Sequence, residues 1–216
     1  MNDSISMIKK HKIVSIIRTD KDYEILPVVE SLYKGGIRIV EVTLNTPNAL
    51  ESIKEIRKQF PDMLVGAGTV LNTSDVEAAI ASGANFLLAP TLDKDSILLA
   101  NEEDVLIVPG VFTPTEAWQA YNYGAKIIKL FPVATLGSSY ISDIHGPLPQ
   151  LEIMAVGGIN LDNAKEFLEK GSCSLGIGGS LVNNKDIAKK DFLSIEEKAK
   201  DFVEIAKQFK QDQKSN

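Results

Sequence analysis

Lys129 stands in the run Ile127-Ile128-Lys129-Leu130-Phe131-Pro132, where its neighbours are otherwise apolar. Lysine rarely goes inside a protein without a partner, and a short apolar run closed by a breaker reads as a core strand. Desolvation disfavours the ammonium form, and a neutral amine is the nucleophile that builds a Schiff base on a carbonyl carbon. The structural alternative is a lysine that snorkels from a strand end to water or pairs with a carboxylate. Glu41 raises the same question within Ile39-Val40-Glu41-Val42-Thr43-Leu44. A carboxylate between valines is costly unless paired or used, and burial raises its pKa toward the range of a general base. The alternative partner is Arg38, yet strand residues three apart point to opposite faces.

Small residues follow several of the same kind of run. Gly66-Ala67-Gly68-Thr69 lets a ligand approach the backbone and offers it a hydroxyl. Gly157-Gly158 and Gly176-Ile177-Gly178-Gly179-Ser180 are glycine turns after the last two runs. In an α/β barrel those turns are where backbone N–H groups and a helix N-terminus bind phosphate.

The positioning elements follow from periodicity. Eight apolar, strand-like runs recur at 12–18, 38–44, 63–69, 85–89, 105–109, 126–131, 152–156 and 173–177. Helical spacing lies between them, as at 47–59, 74–82, 115–123 and 161–170. Thr113-Pro114-Thr115-Glu116 spells a capping box with proline at the first helical position. Gly35-Gly36, Gly83, Gly124 and Gly171 sit where left-handed helix ends are expected. Strands that are apolar throughout, alternating with helices, make a parallel sheet covered by helices. Eight units in 216 residues predict a single-domain (β/α)8 TIM barrel over 1–216, with a doubly wound open sheet as the rival. An amphipathic segment at 195–209 is expected to close the domain, and 211–216 to fray.

The charge balance is −6, so no basic surface advertises nucleic acid or an anionic membrane. No run approaches a membrane span, the N-terminus lacks the apolar core of a signal peptide, and the single Cys173 fits a reducing compartment. A cytoplasmic protein is therefore expected. With only His11 and His145, neither in a ligand cluster, a histidine-rich metal site is not expected.

Over nearly its full length the chain resembles the 2-keto-3-deoxy-6-phosphogluconate (KDPG) aldolase family, which includes phosphogalactonate and 4-hydroxy-2-oxoglutarate (KHG) aldolases. The resemblance rests on Gly35-Gly36, Glu41-Val42-Thr43-Leu44, Val65-Gly66-Ala67-Gly68-Thr69-Val70, Pro109-Gly110, Lys129-Leu130-Phe131-Pro132, Val156-Gly157-Gly158-Ile159 and Gly178-Gly179-Ser180, in that order. It implies that Lys129 is the Schiff-base lysine and Glu41 the acid/base. It places Thr69, Pro90 and Phe131 around the pyruvate part of a phosphorylated keto sugar acid, and Gly157, Gly158, Gly178, Gly179 and Ser180 around the phosphate. It also implies a homotrimer that needs no metal or cofactor. One residue departs from the pattern. Phosphogluconate-specific members carry arginine where this chain has Asn45; Leu44-Asn45-Thr46-Pro47 resembles the phosphogalactonate branch, while Thr43 resembles the gluconate branch. Arg18, at the end of the first run, can supply the missing cation. The competing readings are KHG cleavage, a phosphosugar isomerase or epimerase on the same barrel, and a non-catalytic sugar-phosphate binder.

Overall fold

The computed structural model describes residues 1–215, with side chains as far as Gln213. Its strands are β1 (Ile13–Ile17), β2 (Ile39–Thr43), β3 (Leu64–Gly68), β4 (Phe86–Leu88), β5 (Leu106–Val108), β6 (Gly110–Val111), β7 (Ile128–Leu130), β8 (Ile153–Val156) and β9 (Ser174–Ile177). Its helices are α1 (Asn2–His11), α2 (Leu26–Lys34), α3 (Ala49–Gln59), α4 (Thr73–Ala81), α5 (Lys94–Glu102), α6 (Pro114–Asn122), α7 (Ser139–His145), α8 (Ala164–Glu169), α9 (Asn184–Lys189) and α10 (Phe192–Ser215).

Every strand pairing is parallel, in the order β5-β4-β3-β2-β1-β9-β8-β7-β6. The two ends of that order, β5 and β6, are separated in the chain by Pro109 alone. They are one barrel strand interrupted by a residue with no N–H, so the ring closes with eight strands. This is the expected TIM-like barrel, not the open sheet. It also corrects the strand expected to stop at Pro109. That strand runs on to Val111, with the Pro109 carbonyl accepting from the Lys129 N–H at 2.8 Å.

All strand residues are buried, as continuous apolar runs require. Alternate residues face inward: Val14, Ile16, Ile39, Phe86, Leu88, Met154 and Val156 form the barrel interior. The other faces pack under the helices in a larger outer core. Ile8 of α1 joins the inner cluster, and Ser4 Oγ donates to the Asn85 carbonyl at the start of β4. α1 therefore plugs the N-terminal mouth of the barrel, an element the sequence reading did not anticipate.

The capping box forms as expected, with Glu116 accepting from the Thr113 N–H at 2.8 Å. Gly36, Gly83, Gly124 and Gly171 have positive φ, but Gly35 does not. Helix boundaries differ from the reading most in three places. The segment expected as helix from residue 161 winds only from Ala164, because Asn160 Oδ1 accepts from the backbone of Asp162 and Asn163 and Asn163 Oδ1 accepts from Asn160. These Asx turns compete with helix for the same donors. α3 begins two residues later than expected, after Asn48 in the left-handed region. The expected frayed tail is instead helix to Ser215, and Asn216 lies outside the described residues. Among the described residues no helix is long and apolar enough to cross a membrane.

Candidate active site

Lys129 occupies the middle of β7, paired with Gly110 and Met154, and only 5 % of it is exposed. Glu41 lies mid-strand in β2, paired with Ile16 and Gly66, and is 1 % exposed. Both belong to inward-facing positions of the ring. Burial holds the Lys129 amine below the ordinary lysine range; the Glu41 charge pulls it back up, and Arg18 pushes it lower. Burial lifts the Glu41 carboxyl to about 7, against the opposing pull of Lys129 and Arg18. The amine, the carboxyl and the Arg18 guanidinium thus sense one another's charge. Lys129 Nζ also stands 4.9 Å from the centre of the Phe131 ring. The alternative partner of Glu41 is occupied elsewhere. Arg38 stacks 4.0 Å over the Tyr33 ring and approaches Asp62 at 3.9 Å.

Glu41 Oε2 is buried and has no hydrogen-bond partner among the described residues, which costs an ionised oxygen more than a protonated one. The space for this carboxyl comes from Gly68. A Cβ on Gly68 would lie 1.4 Å from Glu41 Oε1. Gly68→Ala should therefore drive the carboxyl from its place. Because misplacement by about 1 Å can cost about 10²-fold, turnover should fall by about that factor. Steady-state kinetics beside a melting curve check this, since a retained Tm separates lost geometry from lost fold.

At the C-terminal ends of the strands opens a cavity of about 600 Å³. Its wall includes Arg18, Phe131, Gly157, Gly158, Gly178, Gly179 and Ser180, seven of the residues singled out from sequence. Phe131 and Ile16, also in the wall, connect it to the two buried groups, for Phe131 is two residues beyond Lys129 and Ile16 is the β1 partner of Glu41. The Ser180 hydroxyl donates to the Ile159 carbonyl at 2.5 Å, so it ties the two glycine turns together. In this arrangement the serine proton is already engaged. Asn160, Asn183 and Asn184 also line the cavity. Sequence reasoning passed over them, though asparagine a few residues beyond a glycine turn and ahead of a helix was a legible signal.

Lys129 and Glu41 are not themselves among the residues of its wall, and three expected binding residues, Pro90, Thr69 and Asn45, also lie apart from it. Pro90 lines a separate hollow of about 400 Å³ that shares the Phe131 ring. Thr69 caps β3 at φ 59°, an uncommon conformation for a β-branched residue that costs about 1–3 kcal/mol and clusters at functional sites. Asn45 is exposed in the turn after β2. That turn is tied to the end of β1: Thr43 and Thr46 hydroxyls meet at 3.0 Å, and the Thr19 N–H donates to Thr46 Oγ1 at 3.2 Å. Asn45 and Arg18 consequently sit on two connected loops. Among the described residues no three His, Cys, Asp or Glu side chains gather as a metal site.

A buried amine and a buried carboxyl that feel each other's charge, joined through Phe131 and Ile16 to a cavity rimmed by glycine turns, have the chemistry to form an imine and move a proton near it. Comparison with known proteins gives the chain a family. The family model "KDPG and KHG aldolase" matches residues 4–198. The KHG/KDPG aldolase of Escherichia coli strain K12 is 34% identical over 204 residues, covering 94% of this chain and 95% of its own. A probable 2-dehydro-3-deoxy-6-phosphogalactonate aldolase of Rhizobium meliloti strain 1021 is 39% identical over 171 residues, 78% of this chain and 81% of its own. The KDPG aldolase of Legionella pneumophila, solved with pyruvate captured as a covalent carbinolamine, superposes with a TM-score of 0.83 at 28% identity, over 91% of this chain and 96% of that one. The chain belongs to the KDPG and KHG aldolase family of carbon–carbon lyases.

Proposed function

We propose that the protein is a class I aldolase that reversibly cleaves a 2-keto-3-deoxy-6-phospho sugar acid, of gluconate or galactonate configuration, to pyruvate and glyceraldehyde 3-phosphate. The observation that carries this reading is the burial of Lys129 and Glu41, each within the other's field, close to a cavity whose wall contains Phe131 and two glycine turns. Lys129, whose charged form burial disfavours, attacks the C2 carbonyl as the free amine; the carbinolamine loses water to give an iminium. Glu41 removes the proton of the C4 hydroxyl as the C3–C4 bond breaks, and the electron pair flows into the iminium to leave an enamine. Glyceraldehyde 3-phosphate departs. The enamine is reprotonated at C3 and hydrolysed, which frees pyruvate and the lysine amine. One carboxyl whose pKa lies near 7 suits both directions of proton transfer.

The KHG reading uses the same lysine without a phosphate. The glycine turns of Gly157-Gly158 and Gly178-Gly179 favour the phosphorylated substrates, since they supply backbone donors and little else. Each hydrogen bond to a charged group is worth about 1.5–3 kcal/mol, so an unphosphorylated substrate should lose at least about tenfold in kcat/KM. Parallel assays of the gluconate, galactonate and KHG substrates decide it. A preference for KHG overturns the phosphosugar assignment.

Arg18 projects from the end of β1 into the cavity and supplies the cation that Asn45 lacks. Arg18→Ala should raise KM for the sugar acid by about 10- to 100-fold, the cost of one charge-assisted contact to its carboxylate. Asn45→Arg should shift preference toward the gluconate configuration. Kinetics of both variants on both phosphorylated substrates test the assignment, and unchanged KM values move the carboxylate site elsewhere.

A further inference from the structure

The N-terminal face of the barrel, opposite the cavity above, carries a feature that aldol cleavage does not use. A hollow of about 370 Å³ opens between the end of α1, the starts of β1 and β2, and α10. Five cationic or titratable groups line it: Lys10 and His11 from α1, Arg38 from the start of β2, and Lys207 and Lys210 from α10. Among the described residues no carboxylate lines it, in a chain whose net charge is −6. Ile13, Ile37, Val203 and Ala206 complete the lining with apolar surface. Cations over low-dielectric walls focus their field on what enters.

Two of the cations are held by other contacts. Arg38 stacks on Tyr33 and donates to the Tyr33 and Ile37 carbonyls at 2.9 and 2.8 Å. Lys210 donates to the Lys10 carbonyl. Part of the charge has an ordinary origin, because Lys9, Lys10 and His11 fill the last turn of α1, where cations oppose the helix dipole. That origin does not explain why Arg38, Lys207 and Lys210 come to the same hollow from two other elements. Among the described residues, Asp62 lies 3.9 Å from Arg38 Nε, and Asp201 and Glu204 belong to the adjacent groove that shares Lys207.

We propose that this hollow binds the phosphate or pyrophosphate group of a small anionic molecule, at a site remote from the aldolase cavity. His11 reports on it. Burial and the charges of Lys10, Lys210 and Arg38 hold its imidazole below the ordinary histidine value. An anion among those cations raises it, because an opposite charge within a few ångströms favours the protonated ring, by about one pH unit. The chain contains only two histidines, so the His11 ring resonances are assignable with one His11→Gln variant, and His145 serves as internal control.

The experiment is an NMR titration of His11 against pH, with and without saturating inorganic pyrophosphate, at ionic strength matched with sodium chloride. We expect the midpoint to rise by about one unit with pyrophosphate alone. The exposed pair Lys10→Ala/Lys207→Ala should lose most of that rise while keeping its melting temperature and its aldolase turnover. ADP run beside pyrophosphate separates the two sources of the group: saturation at lower concentration assigns a nucleotide-like body to the apolar walls, and equal or weaker saturation assigns the free inorganic ion. A midpoint that moves no further than with chloride, or a full rise in the double variant, overturns the site.

Discussion

Lys129→Met should abolish turnover and all covalent trapping by pyruvate while leaving the barrel folded. Methionine is unbranched and close in length to lysine, and it replaces an amine whose burial already disfavours its charged form. Stability should hold or rise, because no buried ammonium remains to desolvate. The partner should respond as well: Lys129 now pulls the Glu41 pKa down, so its removal should move that carboxyl above about 7. Borohydride reduction with pyruvate followed by mass spectrometry is the direct check, and wild-type protein should carry its label on Lys129 alone. A label on Lys126, or residual trapping in the variant, would remove Lys129 from the mechanism.

Glu41→Gln should lower cleavage by about 10²–10⁴-fold, the usual contribution of a positioned acid/base, while Schiff-base formation persists in part. Its effect on stability has a defined sign. The folded-state pKa of about 7 lies above the ordinary 4.5, so the folded protein binds a proton that the unfolded chain releases. That stabilising contribution is fully present below pH 4.5 and is lost as pH rises through 7. A difference of about 2.5 units corresponds to about 3 kcal/mol. Glutamine keeps the shape without the titration, so the variant should gain Tm relative to wild type between pH 5 and pH 8.5, with little difference near pH 4. Melting curves across that range test it. Equal pH dependence in the two proteins would falsify the burial-driven shift, and near-normal turnover would remove Glu41 from proton transfer.

The alternation of apolar runs with helical segments was enough to determine eight barrel strands, because a strand buried on both faces must be apolar throughout, and that property is local. The same locality exposed Lys129 and Glu41: a charged residue in such a run is conspicuous without any knowledge of its partners. Capping at Thr113 and the glycine helix ends were legible for the same reason, since each involves donors only a few residues apart. Sequence alone argued Glu41 away from Arg38 but did not say which group it faces, and only the ring could answer, because β2 and β7 face each other across the barrel interior and not along the chain. Nor did the sequence reveal that Gly68 clears space for the Glu41 carboxyl, that Ser180 spends its proton on Ile159, or that α1 stoppers the barrel. Those facts depend on register and on contacts between residues distant in sequence. The break at Pro109 is the clearest instance. In the chain it reads as the end of a strand, but closure of the sheet through parallel pairing carries the same strand past it, with the proline carbonyl accepting the Lys129 N–H.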